Sequence, residues 1–161
     1  MPIIVFYKGL DTSFISASNS YSKMISFDSY INKHPLDHVV GSSQHITWSD
    51  LCIHYMISSS KSGKIVYTTY NEGVCEKLKK CGETIISIYP SKDIKEEYLS
   101  KLSHTSIDEK EYKDICDHYY RMIRTMYDCS TIRYPIYSCK TGIESTLRNI
   151  LNHCKEAILN G

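Results

Sequence analysis

Ile3-Ile4-Val5-Phe6-Tyr7-Lys8-Gly9-Leu10-Asp11-Thr12-Ser13-Phe14-Ile15-Ser16 is the stretch from which the rest of the chain is read. Five apolar or aromatic residues, a Lys-Gly step and then polar turn formers describe a buried strand, a glycine turn and the start of a short helix. The spacing from Gly9 to Ser16 matches the outer positions of the phosphate-cradling pattern G-x-x-x-x-G-K-[ST]. The inner positions differ. Phe14 stands where the second glycine belongs, and Ile15 where the lysine belongs. Such a loop works by curling successive backbone N–H groups around phosphate oxygens at a helix N-terminus. Glycine is needed where the backbone itself meets the anion. A ring at position 14 takes that space, and an aliphatic side chain at 15 removes the ammonium group. Losing one preorganised donor to a developing oxyanion costs about 3–4 kcal/mol, so the stretch predicts a site emptied of its chemistry. The competing reading places Phe14 and Ile15 on the core-facing side of the first helix. Both readings agree that phosphate transfer suffers. Gly9, Ser13 and Ser16 remain as candidate contacts to a nucleotide, Ser16 through a hydroxyl that could face Mg²⁺. Asp11 repels phosphate and is a poor ligand.

Outward from this stretch, strand-like runs alternate with helical patterns. Strands are predicted at 3–7, 24–27, 64–69, 84–89 and 131–137, with Pro90 stopping the fourth and Pro135 marking the fifth as an edge or as a strand with a distorted end. Helices are predicted at 47–60, capped by Thr47 or Ser49, and at 72–80, closed by Gly82. Others follow at 91–102, at 107–127 with a Ser106/Glu109 capping box, and from a Thr141/Glu144 box to about Leu159. The stretch 30–46, with Pro35, Gly41 and Ser42-Ser43, reads as loop with a little helix. Ile143, Leu147, Ile150, Leu151, Cys154 and Ile158 form the apolar stripe of the last helix. Strand–helix alternation implies an α/β fold: a three-layer α/β/α sandwich around a mainly parallel five-stranded sheet, in a single domain over 1–161. Ligands of such sheets bind beyond the carboxyl ends of the strands, which directs attention to the loops after Tyr7, Phe27 and Tyr89.

Two further segments carry a resemblance. Tyr89-Pro90 is followed by Lys95-Glu96-Glu97-Tyr98-Leu99, and Ser26-Phe27-Asp28-Ser29 looks like an Asp-Ser step after the second strand. With the first loop and the order of elements over roughly residues 3–150, these segments resemble small P-loop nucleoside or nucleotide kinase-like proteins, a type common in phages and other viruses. The resemblance implies a P-loop NTPase-like fold with a degenerate phosphate loop. It also implies arginines in a lid after the Lys-Glu-Glu-Tyr helix. Here that stretch is Lys101-Leu102-Ser103-His104-Thr105-Ser106, which keeps a cation at Lys101 but has Thr105-Ser106 at the Arg-Gly step. A threonine hydroxyl is a poor substitute for a guanidinium on a transferring phosphate. Arg121 and Arg124 on the next helix could substitute, and a solvated helix face is the competing reading. Asp28 could accept from a nucleoside hydroxyl or orient a magnesium-bound water, or it could simply cap the turn that follows.

Other classes leave weaker traces. His45-Ile46-Thr47 and His104-Thr105-Ser106 look like the triplets of two-histidine phosphoesterases, in which paired imidazoles act as base and acid. Those triplets belong on adjacent strands, whereas the second here sits between charged helical segments. Cys116/His118 and His153/Cys154 lack zinc spacing, as do Cys75 and Cys81. Net charge is +1, with 42% hydrophobic and 23% charged residues; no basic stripe calls for nucleic acid, and no apolar run nears the roughly 18 residues that span a bilayer. Seven scattered cysteines suit reduced thiols in the cytoplasm. Fourteen tyrosines give contact surface. On the helix at 107–127, Tyr112, Tyr119 and Met126 read as core, with Tyr120 and Tyr127 flanking them as partner-facing candidates. The expectation is a kinase-like scaffold that acts by binding a protein partner, or a nucleotide or nucleoside in a remnant cleft. No metal and no cofactor are expected. An active kinase using Asp28, Lys101, Arg121 and Arg124 with ATP and Mg²⁺ is the alternative, and a phosphoesterase using His45 and His104 is a further one.

Overall fold

The structure, a computed structural model, describes residues 1–17, 24–27, 48–140 and 143–159. Five strands form one sheet in which every pairing is parallel: β1 (Ile3–Phe6), β2 (Met24–Ser26), β3 (Ile65–Thr69), β4 (Ile85–Pro90) and β5 (Ile132–Ile136). Their order is β2-β3-β1-β4-β5. The strand that leads into the glycine loop is therefore central. It pairs Phe6 with Thr69 on one side and with Ile88 on the other. All four residues of β1 and all six of β4 are buried, as expected where helices cover both faces of a parallel sheet.

Alternation along β1 sorts the two cores. Ile3, Val5 and Tyr7 face a layer of three helices: α2 (Trp48–Lys61), α3 (Glu72–Lys80) and α5 (Glu109–Cys129). Met56, Leu78, Ile115 and Met126 fill that side, each fully buried. Ile4 and Phe6 face α1 (Ser13–Ala17) and α6 (Ile143–Leu159), through Ile15, Leu147 and Ile150. Complete burial of each such side chain stabilises the fold by about 1.5–3 kcal/mol. The fold is the three-layer α/β/α sandwich that the alternation implied.

Several local expectations are corrected. The helix expected at 91–102 breaks into a 3-10 turn, Lys92–Ile94, and α4, Lys95–Ser103, because the Ser91 side chain accepts from the Asp93 N–H and tightens the first turn. Helix α5 starts at Glu109, not 107. Its cap is Asp108, whose carboxylate accepts from the Glu111 N–H at 3.2 Å, so Ser106 and Glu109 form no box there. Ile107 before the cap and Tyr112 after it both pack on the core, a hydrophobic staple that fixes the entry angle. Pro90 does not stop β4; it closes the strand opposite Ile136. The edge position of β5 is as Pro135 suggested. Helix α3 ends as expected: Gly82 takes φ +73°, its N–H donates to the Lys79 carbonyl, and the Glu83 N–H donates to that of Leu78, the two bonds of a Schellman closure. The 30–46 stretch, Thr47 and Thr141 lie outside the described residues.

Candidate functional site

A cavity of about 280 Å³ lies beyond the carboxyl ends of the sheet, where Gly9 and Phe14 of the first loop meet Pro90, Lys101, Thr105 and Ile136. This is where the topology places a ligand. Its floor is built by α4. The Tyr98 hydroxyl donates to the Lys8 carbonyl at 2.5 Å, and Leu102 packs under Gly9. A Cβ at residue 9 would come within 2.7 Å of Leu102 Cδ1 and 3.1 Å of the Tyr98 oxygen, and the backbone there has φ +80°. Glycine is thus required twice, by conformation and by space. Beneath the loop, Tyr7, Tyr98 and Tyr119 stack edge-on or tilted with centroids 5.7–6.0 Å apart. Tyr7 donates to the Tyr119 carbonyl at 3.1 Å and Tyr119 to that of Ser91 at 2.9 Å. Burial pushes the phenols of Tyr7 and Tyr98 far up, so both remain donors.

Three of the loop's own N–H groups are in use. Leu10 donates to the Tyr7 carbonyl at 3.3 Å and Ile15 to that of Thr12 at 3.0 Å. Ser13 donates to Asp11 Oδ1 at 2.9 Å. Hydrogen bonds from Ser13 hold the Asp11 carboxyl below the usual range, and the positive charge of Lys101 adds to this. An ionised carboxylate therefore sits at the head of α1. Ile15 is 3% exposed and belongs to the core under the sheet. Phe14 packs against that core and forms a wall of the cavity. Ile15 is thus a core residue and Phe14 packs on the same core while bordering the cavity.

Of the sequence candidates, Gly9 and Lys101 border the cavity. The Lys101 ammonium donates to the Cys139 carbonyl at 3.1 Å, and the Thr105 hydroxyl donates to that of Leu102 at 2.6 Å. Ser13 opens α1, and the Ser16 side chain lies outside the described set. Asp28 and His45 lie outside the described residues. Arg121 is elsewhere, paired with Glu72 at 3.2 Å in a cleft of about 240 Å³ that also holds Lys8, Asp114 and His118. Arg124 lines a broad groove of about 800 Å³ with Tyr120, Tyr127 and Tyr137. His104 closes α4, its Nδ1 2.6 Å from the Ser100 carbonyl, and is not on a strand. Among the described residues, no three His, Cys, Asp or Glu side chains are placed to hold a metal, and no helix is long and apolar enough to cross a membrane. The six described cysteines are free thiols.

Some features escaped the sequence reading. Lys8 reaches Asp114 Oδ2 at 3.1 Å, and His118 Nδ1 lies 3.0 Å from the other oxygen of that carboxylate. His118 Nδ1 is also 3.1 Å from the Asp114 carbonyl, the acceptor four residues back, and the backbone at His118 leaves the helical range. The i, i+4 spacing of Asp114 and His118 was a visible signal for this pair. The spacing of Tyr98 and Leu102 likewise signals one shared face, but nothing local says that this face holds up the first loop.

No protein-family model matches the chain, and no curated protein matches it. A solved structure described as an uncharacterized protein from Eubacterium ventriosum ATCC 27560 is similar, with a TM-score of 0.52 and 11% identity over 96% of this chain and 98% of that one. At that identity the likeness concerns the fold alone. The chain shares with it an α/β architecture, here an all-parallel five-stranded sheet between two helical layers.

Proposed function

We propose that this chain is a catalytically silent P-loop kinase-like scaffold that acts by binding and does not transfer phosphate from ATP. One observation carries the reading: the loop that would cradle a phosphate spends the N–H groups of Leu10, Ser13 and Ile15 within its own chain. The central position of β1 in the sheet supports the scaffold. The placement of Arg121 and Arg124 in other clefts supports the silence, because neither borders the cavity that holds Lys101. Among the described residues the lining carries one cation, Lys101, and the nearby Arg148 guanidinium is engaged by Glu144, so charge developing on a transferring phosphoryl group has little to meet it. Two surfaces among the described residues suit binding: the cavity above Gly9, and the groove beside Tyr120 and Tyr127, which are 52% and 51% exposed.

The test is phosphoryl transfer from γ-labelled ATP·Mg²⁺ to a panel of nucleosides and nucleoside monophosphates. Label transfer indistinguishable from a protein-free control is expected. Transfer that disappears in Lys101→Met would establish a working kinase and end this reading.

A further inference from the structure

We propose that the cavity above Gly9 accepts an uncharged, flat-faced organic molecule of about nucleoside size and discriminates against the phosphorylated forms of the same molecule. This inference rests on the reading of the chain as a silent kinase-like scaffold, and it names the ligand class of that site.

Charge on the cavity lining is already balanced by groups of the chain itself. Asp11 is the anion at the head of α1, held by the Ser13 N–H, with the Lys101 charge acting on it. Lys101 in turn gives a hydrogen bond to the Cys139 carbonyl. Glu144, the second carboxylate on the lining, lies 2.8 Å from Arg148, one turn along α6. Among the described residues, a phosphate entering this space meets two exposed carboxylates, one of them paired with Arg148, and one exposed lysine whose hydrogen bonding is partly committed. It also meets a loop in which the N–H groups of Leu10, Ser13 and Ile15 face other acceptors. Asp11 thus stands at the head of α1 in the role a bound phosphate would otherwise take, so the scaffold carries its own anion.

Most of the remaining wall is apolar. Phe14, Ile94, Leu102, Ile136 and Ile143 surround the space. The volume of about 280 Å³ falls just below the roughly 300–1,000 Å³ found for organic ligands, which limits the occupant to a small one. An aromatic face against Phe14 and aliphatic side chains gains contact area and leaves no charge to desolvate. A triphosphate on the same ring system would carry several negative charges toward Asp11.

Four ribonucleosides and their 5′-triphosphates with Mg²⁺ are to be titrated into protein labelled at isoleucine and leucine methyl groups. The readout is the methyl shifts of Ile94, Leu102, Ile136 and Ile143. At least one nucleoside is expected to shift these methyls with a dissociation constant tenfold or more below that of its triphosphate. Asp11→Asn, checked for folding by its thermal transition, should narrow that preference about threefold, the effect of removing one like charge at an exposed site. Ile143→Arg should abolish the shifts. A wild-type protein that binds a triphosphate more tightly than the matching nucleoside would overturn the inference, as would the absence of shifts from every nucleoside at millimolar concentration. Turnover of ATP would instead defeat the silent-scaffold reading, so the two failures are distinguishable.

Discussion

Gly9 and Gly82 both hold left-handed backbone, yet they have different neighbours. Nothing lies within 4 Å of the Cβ that Gly82→Ala would add, whereas Gly9→Ala drives a methyl into Leu102 and toward the Tyr98 oxygen. Gly82→Ala should therefore cost only the backbone term, about 1 kcal/mol. Gly9→Ala should add overpacking, for about 2–4 kcal/mol in all. Denaturant unfolding of both variants checks the order, and equal losses would contradict the close approach of α4. Asp114 gives a pH signature. The Lys8 ammonium, and after it the His118 ring, hold its carboxyl below the usual range. The folded chain thus takes up this proton less readily than the unfolded one. The resulting stabilisation is complete above the ordinary aspartate range and is lost as pH falls through the lowered folded value. Lys8→Met should raise the Asp114 titration midpoint followed by carboxyl NMR; an unmoved midpoint would show that Lys8 is not the partner. Burial pushes the Cys75 thiol up to about 12, while Cys81 is exposed. In native protein at pH 8, an alkylating reagent should mark Cys81 well before Cys75, as mass spectrometry of the digested peptides would show.

At the level of elements, the caps show what a sequence conveys and what it leaves open. Gly82 after a run of lysines was a sufficient signal for the end of α3, because a Schellman closure depends on one residue with φ > 0. The start of α5 was harder. Ser106/Glu109 and Asp108/Glu111 both satisfy the capping pattern, and the choice between them lies in where Ile107 and Tyr112 find apolar contact. That is tertiary information. Asp108→Ala should cost about 1 kcal/mol of stability, read as a lower thermal midpoint, while Ser106→Ala should cost little. The reverse order would return the cap to Ser106. The break before α4 has the same origin: Ser91 turns the chain locally, and the apolar period through 91–102 does not reveal it.

For the whole molecule, the layer architecture was legible because strand–helix alternation leaves few ways to bury both faces of a parallel sheet. The two cores follow from the alternation in β1 alone. The site was legible only in part. Position 14 and Gly9 pointed to a loop that borders the cavity, yet Leu102 and the Cys139 carbonyl reach it from segments about 90 and 130 residues away. Local spacing does not encode which distant cation arrives at a cavity, and so Lys101 was grouped with Arg121 and Arg124, which line other clefts. The account depends on the Leu10, Ser13 and Ile15 N–H groups of the first loop being bonded within the chain and on the Asp11 carboxylate standing before α1. Calorimetric titration of ATP·Mg²⁺ into the wild-type protein tests this most directly. The account predicts no heat of binding up to millimolar nucleotide. A micromolar dissociation constant, weakened by Lys101→Met, would contradict it.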